Sequence, residues 1–427
     1  MSILTKWLKL PQWQQTIIGL FAGIITGLVL KAHAVYLKPI GTMFVNGIQM
    51  LVAPVVFTAI ICAVLAVQEL NKIGRMMAKA LVVYALTMAV AATIGIIIAN
   101  ALGIGYDFPI NKEVMGAVTT IPSLTLGDIL VNFVPKSPVA AFASNNVMQI
   151  LCFAFIFGLA LRLVGEPGKP IKELFLALAE VVFLFAKIVV GFAPYGVFAL
   201  IAYITGQYGV GILLPLIKFV SSVYISCGLL IVVVFSLVLL AKQINPITFF
   251  SKITEPLITS FTTSSSAATL PVTMRCAREN LKINPQVSDF LLPFGATLNL
   301  NGLAIYLSAA TIFAAHMYSI TISFAQYVSM VITVVLTSAG AAAIPGSGLI
   351  VMSAVMTSVG IPLSALPIIA GVDRFNDMAQ TMTNVAGDLF ATTVVAKSEA
   401  LLDDHKVVGL ALNEKNNIED DDGSLMR

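Results

Sequence analysis

Thr262-Thr263-Ser264-Ser265-Ser266-Ala267-Ala268, closed by Pro271, lies in the middle of a stretch, 249–274, whose two ends are apolar. Split at the serines, each arm is about a dozen residues, or roughly 18 Å of helix. Neither arm crosses a hydrocarbon core of about 30 Å. A second stretch, 322–360, behaves alike, with Gly340-Ala-Ala-Ala-Ile344-Pro345-Gly346-Ser347-Gly348 at its middle. Both stretches are expected to be re-entrant hairpins with non-helical tips. Such backbone survives at membrane depth only where protein or a water-filled cavity satisfies its polar groups.

The rest of the chain reads as membrane-embedded. Of 427 residues, 58% are hydrophobic and 11% charged, whereas a soluble domain carries about a quarter charged. Apolar runs at 15–30, 80–101, 148–164 and 211–240 are the clearest spans, and the alternation of an outer-membrane barrel, in segments of about ten residues, is absent. The fold class is therefore an α-helical membrane bundle. Lys6 and Lys9 precede an apolar run that continues well beyond a signal peptide's core without a small-residue cleavage site, so a cleaved signal is not expected. Trp7 and Trp13 suit a membrane interface.

Basic residues set the expected orientation. Lys72, Arg75 and Lys79, then Arg162, Lys169 and Lys172, then Lys242 and Lys252, then Arg275, Arg278 and Lys282 mark alternate connections, while 205–211 and 317–321 hold none. The positive-inside rule places both termini in the cytoplasm, of a cell inner membrane. The net charge of +3 is small and unclustered, which excludes a nucleic-acid partner. Cys62, Cys152, Cys227 and Cys276 lack the spacing of a zinc or redox site and read as small buried hydrophobes. His33, His316 and His405 fall in or near loops and helix ends. The tail from 403, with Glu419-Asp420-Asp421-Asp422, reads as disordered and cytoplasmic.

Each expected hairpin is followed by a helix carrying polar residues: Asn299-Leu300-Asn301-Gly302 after the first, and 373–388 after the second. Such a unit occurring twice, entered from opposite sides, is the hydropathy pattern of an inverted repeat with a site near the bilayer midplane. In the last helix Asp373, Asp377, Gln380, Asn384 and Asp388 are spaced by 4, 3, 4 and 4. They share about 80° of arc. An acidic residue at a helix centre costs roughly 2.5–3.5 kcal/mol on insertion scales, so three on one face point to cationic ligands: a substrate ammonium, sodium ions or protons. Pairing with Arg374 and neighbouring amides is the structural alternative, strongest for Asp373. Hairpin tips add helix N-termini and serine hydroxyls suited to a carboxylate. Together these groups describe an α-amino acid.

Ser264-Ser-Ser-Ala-Ala-Thr-Leu-Pro271, Gly295-Ala-Thr-Leu-Asn299-Leu-Asn-Gly302, Ile344-Pro-Gly-Ser-Gly348 and Asn384-Val-Ala-Gly-Asp388 resemble, in order, the motifs of the dicarboxylate/amino acid:cation symporter family, the glutamate-transporter homologues. The resemblance runs from the first apolar block to Lys397. It implies eight transmembrane helices plus two re-entrant hairpins, inverted repeats, a homotrimer in membrane lipid, and an elevator-type motion gated by the second hairpin. In that frame 1–14 is a cytoplasmic amphipathic segment, 15–75 scaffold helices 1–2, and 76–104 helix 3 of the transport domain. Scaffold helices 4–5 fill 105–207, the rest of the transport domain 208–402, and the tail 403–427.

Family roles are carried over residue by residue. The resemblance implies that Asp377 binds the substrate ammonium, that Ser266, Thr381 and Asn384 contact substrate, and that Ile344 and Gly348 contribute through the second hairpin. Gly295, Asn299, Asn384 and Asp388 match one sodium site; Thr297 and backbone near Ser338 and Ala339 match another. Tyr84, Thr87 and Asn301 match a third cation site, which is degraded: Asn301 replaces an aspartate, and Met88 a serine, and a thioether is a poor ligand for a hard cation. Gln380 stands where acidic-substrate carriers have an arginine, and Leu303 where they have a threonine. Losing a bidentate guanidinium contact shifts the expected substrate of this sodium-driven (or proton-driven) symporter to a neutral amino acid. The alternative is a glutamate/aspartate or C4-dicarboxylate symporter in which Arg374 supplies the missing charge. No cofactor is expected beyond the transported Na+ or H+, and no catalytic residue. The serines lack a histidine base in a helix core, and the aspartates lie on one helix rather than forming a two-helix dyad. A channel fits less well, because paired hairpins suit an occluding site more than an open filter.

Overall fold

The computed structural model describes Leu10 and residues 12–66, 72–109, 131, 134–144, 146–339, 341 and 347–402. Lys6, Trp7 and Lys9, the tip residues Gly340 and 342–346 with Ile344, and the tail 403–427 with His405 lie outside the described residues. Among the described residues the chain is helical without strands, apart from one isolated antiparallel bridge between Ile283 and Leu402.

Helices α1 (Gln12–Leu30), α2 (Lys38–Ala66) and α3 (Lys72–Ala101) are followed by α4 (Pro138–Ala143), α5 (Val147–Val164), α6 (Lys169–Gly191) and α7 (Ala193–Tyr208). Helix α6 ends at Gly191, and Pro194 enters α7 in its first turn, where its missing N–H is harmless. Helix α1 packs along α7 through Gly19, Gly23 and Gly27. A methyl added to these would lie 2.5 Å from the Pro194 carbonyl oxygen, 2.7 Å from that of Phe198 and 2.5 Å from that of Ala202. Lipid drives no hydrophobic association, so small residues that let backbones meet are what hold such a pair.

Helix α8 (Leu213–Leu229) continues through a π-helical turn, Leu230–Phe235, into α9 (Ser236–Ala241). That turn delivers Phe235 onto the Phe390 ring, stacked at 4.3 Å. After α10 (Pro246–Lys252) come α11 (Thr254–Thr263) and α12 (Ser266–Glu279), joined by Ser264 in the left-handed region (φ 50°, ψ 37°). The Ser265 hydroxyl accepts the Ala268 N–H at 3.2 Å as the cap of α12. At the far ends of the two arms Arg275 pairs with Glu255, and the Asn280 amide donates to the Lys252 carbonyl at 3.0 Å. At 10 and 14 residues the arms are about 15 and 21 Å long.

Helices α13 (Pro285–Leu298) and α14 (Asn301–Met317) are separated by Asn299 and Leu300, both non-helical. The polar break expected here is thus a break of the backbone. Helix α15 (Phe324–Ala339) packs on α16 (Ser347–Ser358), and the Gln326 amide ties their far ends by donating to the Val359 carbonyl at 3.1 Å. The last segment is α17 (Leu366–Ala370) and α18 (Asp373–Ser398). Gly371-Val372 separate the two. Asp373 therefore lies in the first turn of α18, where the helix dipole favours a carboxylate.

Helices α1, α2, α5, α6 and α7 pack on one another, as do α3, α8, α11 to α16 and α18; the two groups meet where α16 lies against α2 and through α17, which lies against α7 and α2. Among the described residues four helical runs are long and apolar enough to cross a membrane: Gln14–Gly47, Arg75–Ala101, Ala193–Ala241 and Pro285–Met317. The last is 94% buried over its apolar window, against 28–39% for the other three, so it is the centre of the molecule. Polar backbone at Asn299 is sheltered there from lipid. Ion pairs fasten α18 to α3, with Arg75 and Lys79 both on Glu399. At the opposite end of α3, His316 Nδ1 donates to the Ile104 carbonyl at 2.8 Å while its ring stacks on Tyr106 at 3.9 Å.

Candidate functional site

The site forms where the broken backbone between α13 and α14 meets the polar face of α18. Gly302 lies against the backbone of Gln380, and a methyl there would sit 2.2 Å from the Gln380 carbonyl oxygen and 2.5 Å from its Cα. Only glycine permits this approach. It brings the Gly302 N–H, an orphan donor at the start of α14, to Asn384 Oδ1 at 2.7 Å. Asn384 Oδ1 is thereby committed to the backbone of α14.

One turn further along α18, Asp388 is 2% exposed. Its Oδ1 accepts from Asn299 Nδ2 at 3.0 Å, and Asn299 Oδ1 in turn accepts from Asn301 Nδ2 at 2.9 Å. Gly387 makes room for this amide: a methyl there would lie 2.3 Å from Asn301 Nδ2. Gly295 faces Asp388 Oδ1 (2.7 Å from an added methyl) and the Tyr84 hydroxyl (3.1 Å). Tyr84 donates to the Leu291 carbonyl at 3.2 Å. Gly295, Asn299, Asn301, Asp388 and Tyr84 therefore share one buried, oxygen-rich cluster with a single carboxylate. Asn301 Oδ1, fully buried, has no hydrogen-bond partner among the described residues. Hard alkali cations take such oxygen donors.

Two further residues that the resemblance assigns to cation sites spend their hydroxyl protons on their own helices. The Thr87 hydroxyl donates to its own helix, at Val83 (2.8 Å). Thr297 is exposed, and its hydroxyl donates to the Phe294 carbonyl at 2.9 Å. Ser338 is fully buried at the end of α15, its hydroxyl without a partner among the described residues.

The other end of the stripe, about 22 Å away along α18, holds a different set. Asp373, which the sequence pairs with its neighbour Arg374, instead accepts the Tyr306 hydroxyl at 2.6 Å. Arg374 turns to Asp377, with Nη1 3.4 Å from Oδ2, both side chains nearly buried (12% and 11% exposed). Arg374 Nε and Gln380 Nε2 are buried donors with no acceptor among the described residues. Thr381 is buried, Ser266 is buried at the start of α12, and Ser264 at the turn holds a buried hydroxyl likewise without a partner among the described residues. Leu303 and Gly348 meet: a methyl on Gly348 would lie 3.1 Å from Leu303 Cδ1 and 3.0 Å from Tyr306 Cε1.

Sequence reasoning missed Tyr306, which lies in an apolar run without pattern, and the close-approach role of Gly302 and Gly387. The only sequence signal for the glycines is their place beside the asparagines of the quoted motifs.

Residues 13–398 match the sodium:dicarboxylate symporter family. The chain is 34% identical over 396 residues to a C4-dicarboxylate transport protein of Rhodospirillum rubrum, covering 91% of this chain and 88% of that protein. It is 32% identical over 402 residues to a proton/sodium-glutamate symport protein of Geobacillus stearothermophilus, covering 92% and 95%. A C4-dicarboxylate transport protein of Polynucleobacter asymbioticus is 33% identical over 412 residues, covering 95% and 93%. These relatives are named for acidic substrates and favour the acidic alternative over the neutral preference expected from Gln380 and Leu303. Oil-facing helices, a buried carboxylate in a nest of amides and a match across almost the whole length agree on one assignment: this membrane protein belongs to the sodium:dicarboxylate symporter family.

Proposed function

We propose that the protein is a cation-coupled symporter for an acidic amino acid, glutamate or aspartate, driven by sodium or protons. The observation that carries this reading is Arg374, buried and paired with Asp377 while its Nε is left without an acceptor among the described residues, as is the buried Gln380 Nε2. A buried donor left unmatched costs about 1–3 kcal/mol, and a substrate carboxylate supplies an acceptor. Asp377 answers the ammonium. The Ser264–Ser266 turn and Asn384 face the α-carboxylate, and the Asp388 cluster takes the coupling cation. Arg374 thus supplies the charge that Gln380 does not. C4-dicarboxylates are the second reading, favoured by the names of two relatives and opposed by Asp377, which offers them only repulsion.

The test is uptake into proteoliposomes under an imposed sodium or proton gradient, competed by aspartate, glutamate, succinate, serine and alanine. Aspartate or glutamate should compete best. Arg374→Ala should weaken acidic competitors about 10- to 100-fold, the worth of a charge-assisted hydrogen bond, and leave serine unchanged. Competition by serine and alanine alone, indifferent to Arg374→Ala, would overturn the assignment.

The same reading includes eight crossings, α11–α12 and α15–α16 as re-entrant hairpins, a homotrimer in the inner membrane, and an elevator motion of the 208–402 block with helix 3 against the scaffold. It is supported by arms too short to span and by the packing of α16 on α2. A disulfide engineered between α16 and α2 should stop transport reversibly. Undiminished turnover in the oxidised protein would exclude that motion.

A further inference from the structure

Tyr306 is fully buried and stands where four elements meet. It belongs to α14, donates its hydroxyl to Asp373 of α18 at 2.6 Å, lies under Gly348 of α16, and tilts against Phe219 of α8 at 6.0 Å between ring centres. We infer that Tyr306 is a positioning residue for substrate selection: by occupying Asp373 it keeps the Arg374 guanidinium available to the substrate's second carboxylate.

Arg374 has two acidic neighbours. Asp373 precedes it directly, and Asp377 lies one turn on. A guanidinium flanked by two carboxylates closes into a neutralised cluster and offers little to a third anion. Tyr306 opposes this closure: its O–H holds Asp373 Oδ1 from the α14 side, and among the described residues the carboxylate within ion-pair distance of Arg374 is that of Asp377. What remains is a single ion pair to Asp377 at 3.4 Å, longer than a tight charge-assisted bond, with Nε uncommitted among the described residues. The guanidinium is therefore held near the site but not satisfied by the protein. The Tyr306 ring does a separate job, as the floor on which Gly348 seats. Because hydroxyl and ring serve different partners, they separate by substitution.

This inference rests on the proposed role of Arg374, and the experiment keeps the two apart. Tyr306→Phe retains the floor and releases Asp373. Its KM for aspartate should rise about five- to tenfold, the range of one net hydrogen bond, with Vmax and the half-saturating cation concentration unchanged. Asp373→Asn removes the competing charge, so the double variant Tyr306→Phe/Asp373→Asn should return to within about twofold of the unmodified protein. Thermal stabilisation of purified protein by added aspartate, measured on the same four proteins, should follow the same order. Additive losses in the double variant, or an unchanged KM in Tyr306→Phe while Arg374→Ala still weakens aspartate, would overturn the positioning role and leave the substrate assignment standing. Arg374→Ala with no effect on aspartate would remove both.

Discussion

Replacing Asp388 by alanine should abolish cation-driven accumulation in a carrier that still reaches the membrane. The carboxylate is 2% exposed and the only one in its cluster among the described residues, held by Asn299 at 3.0 Å and facing Gly295. Removing one partner of a buried ion pair costs about 3–5 kcal/mol, so cation affinity should fall by about two to four orders of magnitude. Asp388→Asn isolates the charge, because its amide oxygen can still accept from Asn299 while the negative charge is gone. Both variants should lose cation-dependent uptake and cation-dependent thermal stabilisation, with Asp388→Asn keeping the higher melting temperature in cation-free buffer. Sodium- or proton-driven accumulation that survives in Asp388→Asn would show that this cluster does not hold the coupling ion.

Gly302→Ala should be the most damaging small substitution in the molecule. Its methyl would enter within 2.2 Å of a backbone oxygen and 2.5 Å of a backbone carbon of Gln380, neither of which can rotate aside. Overpacking a buried contact costs about 1–3 kcal/mol, occasionally more. Here α14 and α18 must separate, which also breaks the bond from the Gly302 N–H to Asn384. The expected result is a fall in melting temperature together with loss of substrate-induced stabilisation. Gly228→Ala is the control, since a methyl there meets nothing within 4 Å and should gain slightly from the higher helix propensity of alanine. Equal stability and equal binding in the two variants would contradict the close approach of α14 and α18.

Much of the candidate site is legible in the chain because helical period is a local property. The spacing from Asp373 to Asp388 puts five polar residues on one face of α18 whatever packs against it. The shortness of 254–263 and 266–279, and the serines between them, follow likewise from neighbours along the chain. The break at Asn299-Leu300 was foreshadowed by two asparagines and a glycine in an apolar segment. The break at Gly371-Val372 was not, because a single glycine in a helical pattern is tolerated unless tertiary contacts pull the chain apart there.

Substrate preference was read differently from the sequence because Gln380 was compared with the position it fills rather than with what surrounds it. Arg374 lies about 100° from Asp373 on the helix. The fold turns it instead toward Asp377, one helical turn away, and hands Asp373 to a tyrosine 67 positions earlier. Asn299 and Asp388, 89 positions apart, join in the same way.

The sequence by itself determined a helical membrane protein with two short-armed segments, a polar face on its last helix and the motifs of a cation symporter. Hydropathy and period dictate these through interactions spanning a few residues. Only the tertiary structure decided which acid holds the arginine, which oxygens gather at Asp388 and which donors stay unmatched. Those choices depend on sub-ångström fit between segments far apart in the chain, and glycine and close packing set that fit where no local rule reaches.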